Sequence, residues 1–144
     1  MKRFYLTCTL LLLSGIAHAA GGPLGSNSAP DFLPVDEAFE LTATRKDGMV
    51  ELRWFALPGY YLYRHSLSFE GEGVEAGAAE IPPGLKKHDE YFGDVEVYYG
   101  ELLVDLPLRG QPQEVRVRVR YQGCADAGLC YPPQKRTLKI PLEG

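Results

Sequence analysis

An all-β, antiparallel β-sandwich of immunoglobulin type is the fold this sequence predicts, and three observations predict it. Apolar residues recur at every second position in one segment after another, the period of a strand with one face buried. These segments are short and are separated by Gly, Pro and Asp clusters such as Pro82-Pro83-Gly84. No stretch after Pro34 carries the 3.6-residue period of an amphipathic helix. About seven or eight strands at this spacing suit two facing sheets.

The chain opens with Lys2 and Arg3 before an apolar run through Ile16, and Ala17-His18-Ala19 supplies the small residues a signal peptidase accepts. Residues 1–19 therefore read as a secretory signal. The run falls short of the ~20 apolar residues of a membrane span, and no later segment approaches that length. The expected mature chain is exported to the periplasm and begins near Ala20. Residues 20–34, "AGGPLGSNSAPDFLP", are rich in Gly, Pro and Ser and read as a flexible lead-in. Residues 35–144 form the domain, long enough to bury a core.

Along that domain, Phe39, Leu41 and Ala43 alternate with polar partners, as do Val50, Leu52 and Trp54. Tyr61, Tyr63 and His65 oppose Tyr60, Leu62 and Arg64. Leu67 and Phe69 continue the pattern, followed by Val95, Val97 and Tyr99 and by Leu102, Val104 and Leu106. In "EVRVRVRY", Val115, Val117 and Val119 share one face and Arg116, Arg118 and Arg120 the other; the arginine stripe reads as a solvated strand face. Leu138, Ile140 and Leu142 close the series.

The full chain has 15 basic and 19 acidic residues, a net charge of −4. Loss of Lys2 and Arg3 with the signal takes the mature charge to about −6. Nucleic acid, which needs a basic face, is not an expected partner.

Cys8 leaves with the signal, so the mature chain has one cysteine pair, Cys124 and Cys130, in "YQGCADAGLCYPP". The pair brackets the loop between the last two strands, Cys124 ending the valine-rich strand and Cys130 opening the next. A bond there closes so short a loop that the chain-entropy model gives it only about 2–2.5 kcal/mol. An exported domain commonly uses such a pair as a staple. Metal is a poor fit: zinc sites pair Cys-x2-4-Cys with further Cys or His, whereas His65 and His88 stand alone, and a copper(I) site would find only Met49. Spacing by itself leaves two readings open, a binding or adaptor sandwich with a structural hairpin disulfide and a domain whose thiols do chemistry.

The residues around the pair carry a resemblance. Tyr121-Gln122-Gly123, both cysteines, Ala125-Asp126-Ala127-Gly128 and Tyr131-Pro132-Pro133 together resemble the active-site loop of the N-terminal periplasmic domain of DsbD, the transmembrane thiol:disulfide interchange protein of Gram-negative bacteria. "DFLPVDEAF", "GYYLYR" and "DEYFG" agree in the same order, so the resemblance covers essentially the whole mature chain. It implies an immunoglobulin-like domain that takes electrons from DsbD's own thioredoxin-like domain and reduces periplasmic partners. Those partners are a disulfide isomerase and a thioredoxin-like protein of cytochrome c maturation. The chemistry is thiol-disulfide exchange and needs no cofactor or metal. Cys130 is implied as the attacking thiol and Cys124 as the resolving one.

The resemblance also implies a cap, Asp89-Glu90-Tyr91-Phe92-Gly93, with an aromatic ring shielding the sulfurs; Tyr91 stands where the family's best-known form has Phe, and Phe92 is the alternative cover. Tyr61, Tyr63 and Tyr131 are candidates to line the site. Asp126 lies between the cysteines and Asp89 and Glu90 in the cap, while no Lys, Arg or His falls between Tyr121 and Pro133, so the expected local field disfavours the thiolate. The chain lacks a multi-span segment and a Cys-x-x-Cys thioredoxin motif, so its membrane link is expected only through a missing parent segment.

Overall fold

The structure, a computed structural model, describes residues 31–110 and 112–141. The expected signal (1–19), most of the lead-in, Cys8 and Leu142 lie outside the described residues. A one-turn helix α1 (Val35–Ala38) leads into β1 (Phe39–Lys46) and β2 (Met49–Ala56), and β3 (Tyr60–Tyr63) runs into a 3-10 turn over Arg64–Ser66. Next come β4 (Ser68–Glu72), β5 (Glu75–Ala76), β6 (Leu85–Asp89), β7 (Gly93–Tyr98) and β8 (Gly100–Arg109). The last four are β9 (Glu114–Tyr121), β10 (Gly123–Ala125), β11 (Leu129–Cys130) and β12 (Gln134–Pro141).

These strands form three antiparallel sheets, ordered β1-β2-β8-β5, β12-β9-β4 and β11-β10-β3-β7-β6. The first two face each other across the core, as the alternation requires. Val50, Leu52 and Trp54 of β2 and Leu102, Val104 and Leu106 of β8 meet Val115, Val117 and Val119 of β9 in one buried cluster. Trp54 bridges the sheets, its ring 5.8 Å from that of Tyr121 and 6.1 Å from that of Phe69, both edge to face. The β1–β2 hairpin turns at Asp47 and Gly48, whose φ of 47° and 78° match the left-handed requirement of a two-residue turn. On the outer face of β9, Arg116 pairs with Glu114, and Arg118 pairs with Glu70 and Glu72 of β4. The arginine stripe is thus a solvated face on which Arg116 and Arg118 are paired with acids on their own and the neighbouring strand.

Three expectations change. The valine-rich strand does not reach Cys124: β9 ends at Tyr121 and the chain crosses at Gln122 into the third sheet. Gln122 supports the crossing with its amide on Ser66 Oγ at 2.9 Å and its carbonyl receiving the Tyr63 amide at 3.0 Å. His65 leaves the strand pattern for the 3-10 turn, where the Ser66 hydroxyl donates to the Tyr63 carbonyl at 2.8 Å. The end of the lead-in is fastened, since Phe32 and Leu33 pack on the core and the Leu33 backbone bonds the hydroxyls of Tyr60 and Tyr131.

The third sheet positions the site. All four residues of β3 are buried, Tyr60 and Leu62 against the main core, Tyr61 and Tyr63 against a second cluster with Val97 and Cys124. A strand's alternating side chains thereby make β3 a wall with the fold's core on one side and the cysteine pair on the other.

Candidate active site

The cysteine hairpin follows from local chemistry. β10 pairs with β3 on one side and with β11 on the other, placing Cys124 directly opposite Cys130 with Cα atoms 4.0 Å apart. The neighbouring pair carries the ladder bond, Tyr131 amide to Gly123 carbonyl at 3.0 Å, so the cysteines occupy the non-hydrogen-bonded position where facing side chains approach most closely. The two sulfurs are bonded. Ala125-Asp126-Ala127-Gly128 makes the turn, closed by the Gly128 amide on the Ala125 carbonyl at 2.9 Å, with Gly128 at φ 105°. Gly123 cannot be larger, because a Cβ there would lie 2.3 Å from the Phe39 ring and 2.6 Å from the Tyr61 carbonyl oxygen.

Beneath the sulfurs lies Tyr63. Its hydroxyl oxygen is 3.2 Å from Cys124 Sγ and 3.8 Å from Cys130 Sγ, and its proton is donated to Asp89 Oδ2. Burial, the Asp89 bond and Tyr61 push the Tyr63 hydroxyl far above the ordinary tyrosine range. Asp89 is itself buried, at the end of β6. That burial works to raise its pKa, but bonds from Tyr63 and from the Phe92 and Tyr91 amides (2.7 and 3.1 Å) outweigh it and hold the carboxyl below its usual range. Cys124 is fully buried, whereas Cys130 is partly exposed.

The segment Asp89 to Gly93 is a tight β6–β7 connection. Asp89 pairs with Gly93, whose φ of 72° lets the chain turn, and Glu90, Tyr91 and Phe92 form an exposed three-residue loop. Its two rings diverge. Phe92 packs edge to face on Tyr63, 5.0 Å between centroids, and against His65; Tyr91 reaches the cysteine turn and donates to the Gly128 carbonyl at 3.0 Å. Phe92 thus covers the tyrosine that touches both sulfurs, and Tyr91 ties the loop to the hairpin.

The structure brings together Cys124, Cys130, Tyr61, Tyr63, Asp89, Tyr91 and Phe92, with Asp126 and Glu90 on the rim. It does not bring Tyr131. Cys130 faces the site, so the next residue faces the other way, and the Tyr131 ring packs on Phe39 and Tyr60 in the main core. Two residues that sequence reasoning missed join the rim. Lys87 Nζ sits 3.3 Å from Asp126 Oδ1 and over the Tyr61 ring, and the Tyr99 hydroxyl donates to the same oxygen at 2.7 Å. The field around the hairpin is therefore not purely acidic. The signal for Lys87 was its place two residues before Asp89, on the same face of a strand. A cleft of about 190 Å³ opens there, lined by Tyr61, Lys87, His88, Asp89, Glu90, Tyr91, Ala125, Asp126 and Gly128.

Comparison with known proteins gives this geometry its context. Residues 29–142 match the family described as "Thiol:disulfide interchange protein DsbD, N-terminal". The thiol:disulfide interchange protein DsbD 2 of Pseudomonas aeruginosa is 43% identical over 144 residues, 96% of this chain and 24% of that protein. DsbD of Vibrio cholerae is 38% identical over 150 residues, covering 96% and 25%. The chain therefore spans about a quarter of the length of these relatives. Among solved structures, the reduced N-terminal domain of Neisseria meningitidis DsbD superposes with a TM-score of 0.73 at 31% identity, covering 78% of this chain and 91% of that one. The same domain in complex with the N-terminal domain of PilB gives a TM-score of 0.68 at 31% identity, covering 77% and 88%. By family match, identity and fold alike, this chain belongs to the N-terminal domain family of the thiol:disulfide interchange protein DsbD.

Proposed function

We propose that this chain is a periplasmic thiol-disulfide exchange domain, a protein-disulfide reductase acting as one station of a longer relay. The observation that carries the reading is the asymmetry of the pair, Cys124 fully buried with its sulfur 3.2 Å from the Tyr63 hydroxyl and Cys130 partly exposed. In the reduced state the Cys130 thiolate attacks one sulfur of a partner disulfide, and the partner's second sulfur leaves and takes a proton. Cys124 then attacks Cys130 Sγ, which releases the partner as a dithiol and closes the Cys124–Cys130 bond. Tyr63, whose own proton is committed to Asp89, offers a lone pair to the Cys124 thiol and holds it in line with Cys130 until that step. Two electrons have moved outward, and the reverse sequence with a donor dithiol restores the reduced pair.

The donor fitting this chemistry is the thioredoxin-like domain of the parent DsbD, and the acceptors are a periplasmic disulfide isomerase and the thioredoxin-like protein of cytochrome c maturation. The relative from Neisseria meningitidis, whose DsbD N-terminal domain forms a complex with the N-terminal domain of PilB, supports a partner-docking role for this domain. Two measurements test the proposal. The Cys124–Cys130 couple is expected to lie above about −300 mV, the level below which structural disulfides usually fall. Cys124→Ala, which keeps the attacking thiol but removes the resolving one, is expected to accumulate a mixed disulfide through Cys130 with a thioredoxin-type partner. A potential well below that level, with no trapped species, would return the pair to a staple in a binding or adaptor module.

A further inference from the structure

β6 presents two side chains on its site-facing side, Lys87 and Asp89. Asp89 grips Tyr63 and begins the cap; Lys87 reaches across to the cysteine turn. Its ammonium lies 3.3 Å from Asp126 Oδ1 and sits 4.9 Å above the Tyr61 ring and 5.8 Å from the centre of Tyr99. The Tyr99 hydroxyl holds the same carboxylate oxygen at 2.7 Å, and the Asp126 amide donates to the Gly59 carbonyl at 2.8 Å. The turn between the cysteines is thus fastened to the strand that leads into the cap, and the cap is fastened back onto the turn through Tyr91 and Gly128.

We infer that Lys87 is a positioning residue for disulfide exchange, its ion pair with Asp126 latching the cysteine turn to the cap-bearing strand so that the cap opens only when the pair yields. The inference rests on the exchange reading above, and its chemistry separates it from simple attraction. An incoming reductant is a thiolate, so a lysine that merely attracted it would slow reduction when removed. A latch makes removal speed reduction. The side chains of Lys87 and Asp126 are 31% and 45% exposed, so the pair is open to screening by salt. Exposed pairs of this kind are worth little, which sets the expected change at about two- to fivefold.

The test follows reduction of the oxidised chain by 2-mercaptoethanol, quenched by alkylation and read by mass. Lys87→Met keeps the stem over Tyr61 and removes the charge. It is expected to be reduced about two- to fivefold faster than wild type at low ionic strength, with the difference closing as salt is raised. Asp126→Asn is expected to match it, the double variant to be no faster than either single one, and Lys87→Arg to retain the slow rate. A slower or unchanged Lys87→Met, or additive effects in the double variant, would overturn the latch. A Cys124→Ala variant that traps a mixed disulfide with a thioredoxin-type protein while Lys87→Met shows no acceleration sinks the latch alone; a Cys124→Ala variant that traps none sinks the exchange reading beneath it.

Discussion

Tyr63 has one proton and two claimants, and Asp89 takes it. That choice fixes what the sulfurs meet: a hydroxyl oxygen whose hydrogen points away from them. Asp89 in turn is the hub of the cap, its Oδ1 receiving the Tyr91 and Phe92 amides while Oδ2 receives Tyr63. These bonds favour the ionised carboxylate and hold its pKa below the usual value of about 4. The sign follows. A group whose pKa falls on folding stabilises the folded state above its unfolded pKa, and that contribution disappears as pH drops through the lower folded value. Wild type is therefore expected to exceed Asp89→Asn in stability by about 1.5–3 kcal/mol at neutral pH, the scale of hydrogen bonds to a charged group. The difference should shrink below about pH 4. Denaturant melts of the two proteins across pH check it; a gap that stays constant into acid would mean that the carboxylate's charge is not what Tyr63 and the cap amides hold.

At the scale of the element, the cap and the cysteine hairpin are two short turns facing each other across Tyr63. Phe92 rests on that tyrosine and Tyr91 on the hairpin, yet each ring remains about half exposed, 50% and 49%. Rings so placed contribute little to the core and are suited to a cover. Tyr91→Ala with Phe92→Ala is expected to speed reduction of Cys124–Cys130 by a small thiol while leaving the melting temperature close to that of wild type. Unchanged kinetics, or a collapse in melting temperature, would assign the rings to ordinary packing. The strands that frame these turns differ in how plainly the sequence announced them. β2, β8 and β9 were legible because each has one dry and one wet face, and Val115, Val117 and Val119 against three arginines leave little choice of period. β6 was not legible: Leu85-Lys86-Lys87-His88-Asp89 is a polar edge strand without apolar alternation, and its leading Leu85 is exposed. The break at Gln122 was hidden too, because it depends on Ser66, which lies 56 positions away in the sequence. Tyr131 was misplaced for a local reason, adjacency to Cys130, although the strand period itself assigns neighbours to opposite faces. The cysteine pair stood out from its motif, whereas Lys87 could be found only by reading β6 as a strand that ends at Asp89, and Tyr99 required the third dimension.

For the whole molecule, the decisive feature is the separation of two buried clusters by β3. The larger one, from Phe39 and Trp54 to Val119 and Ile140, holds the facing sheets together; the smaller contains Tyr61, Tyr63, Val97 and Cys124. A chemical site kept out of the main core can change its covalent state without disturbing the fold. The hairpin has its own supports as well: the Tyr131 amide on the Gly123 carbonyl, the Gly128 amide on Ala125, and the Gln122 side chain donating to the Tyr131 carbonyl at 3.0 Å. With its ends already held, the disulfide has little chain entropy left to remove, so its contribution has an upper bound of about 2–2.5 kcal/mol. Replacing both cysteines by serine adds a buried hydroxyl at position 124, but Tyr63 stands within reach as its partner, which limits the cost of burying it. Cys124→Ser with Cys130→Ser is therefore expected to fold, to unfold in one cooperative transition, and to lose no more than about 2–2.5 kcal/mol. Denaturant unfolding of the double variant beside the oxidised wild type measures the difference. A double variant unable to fold, or a loss well beyond that bound, would place the bond among the supports of the sandwich and count directly against a pair built to open and close.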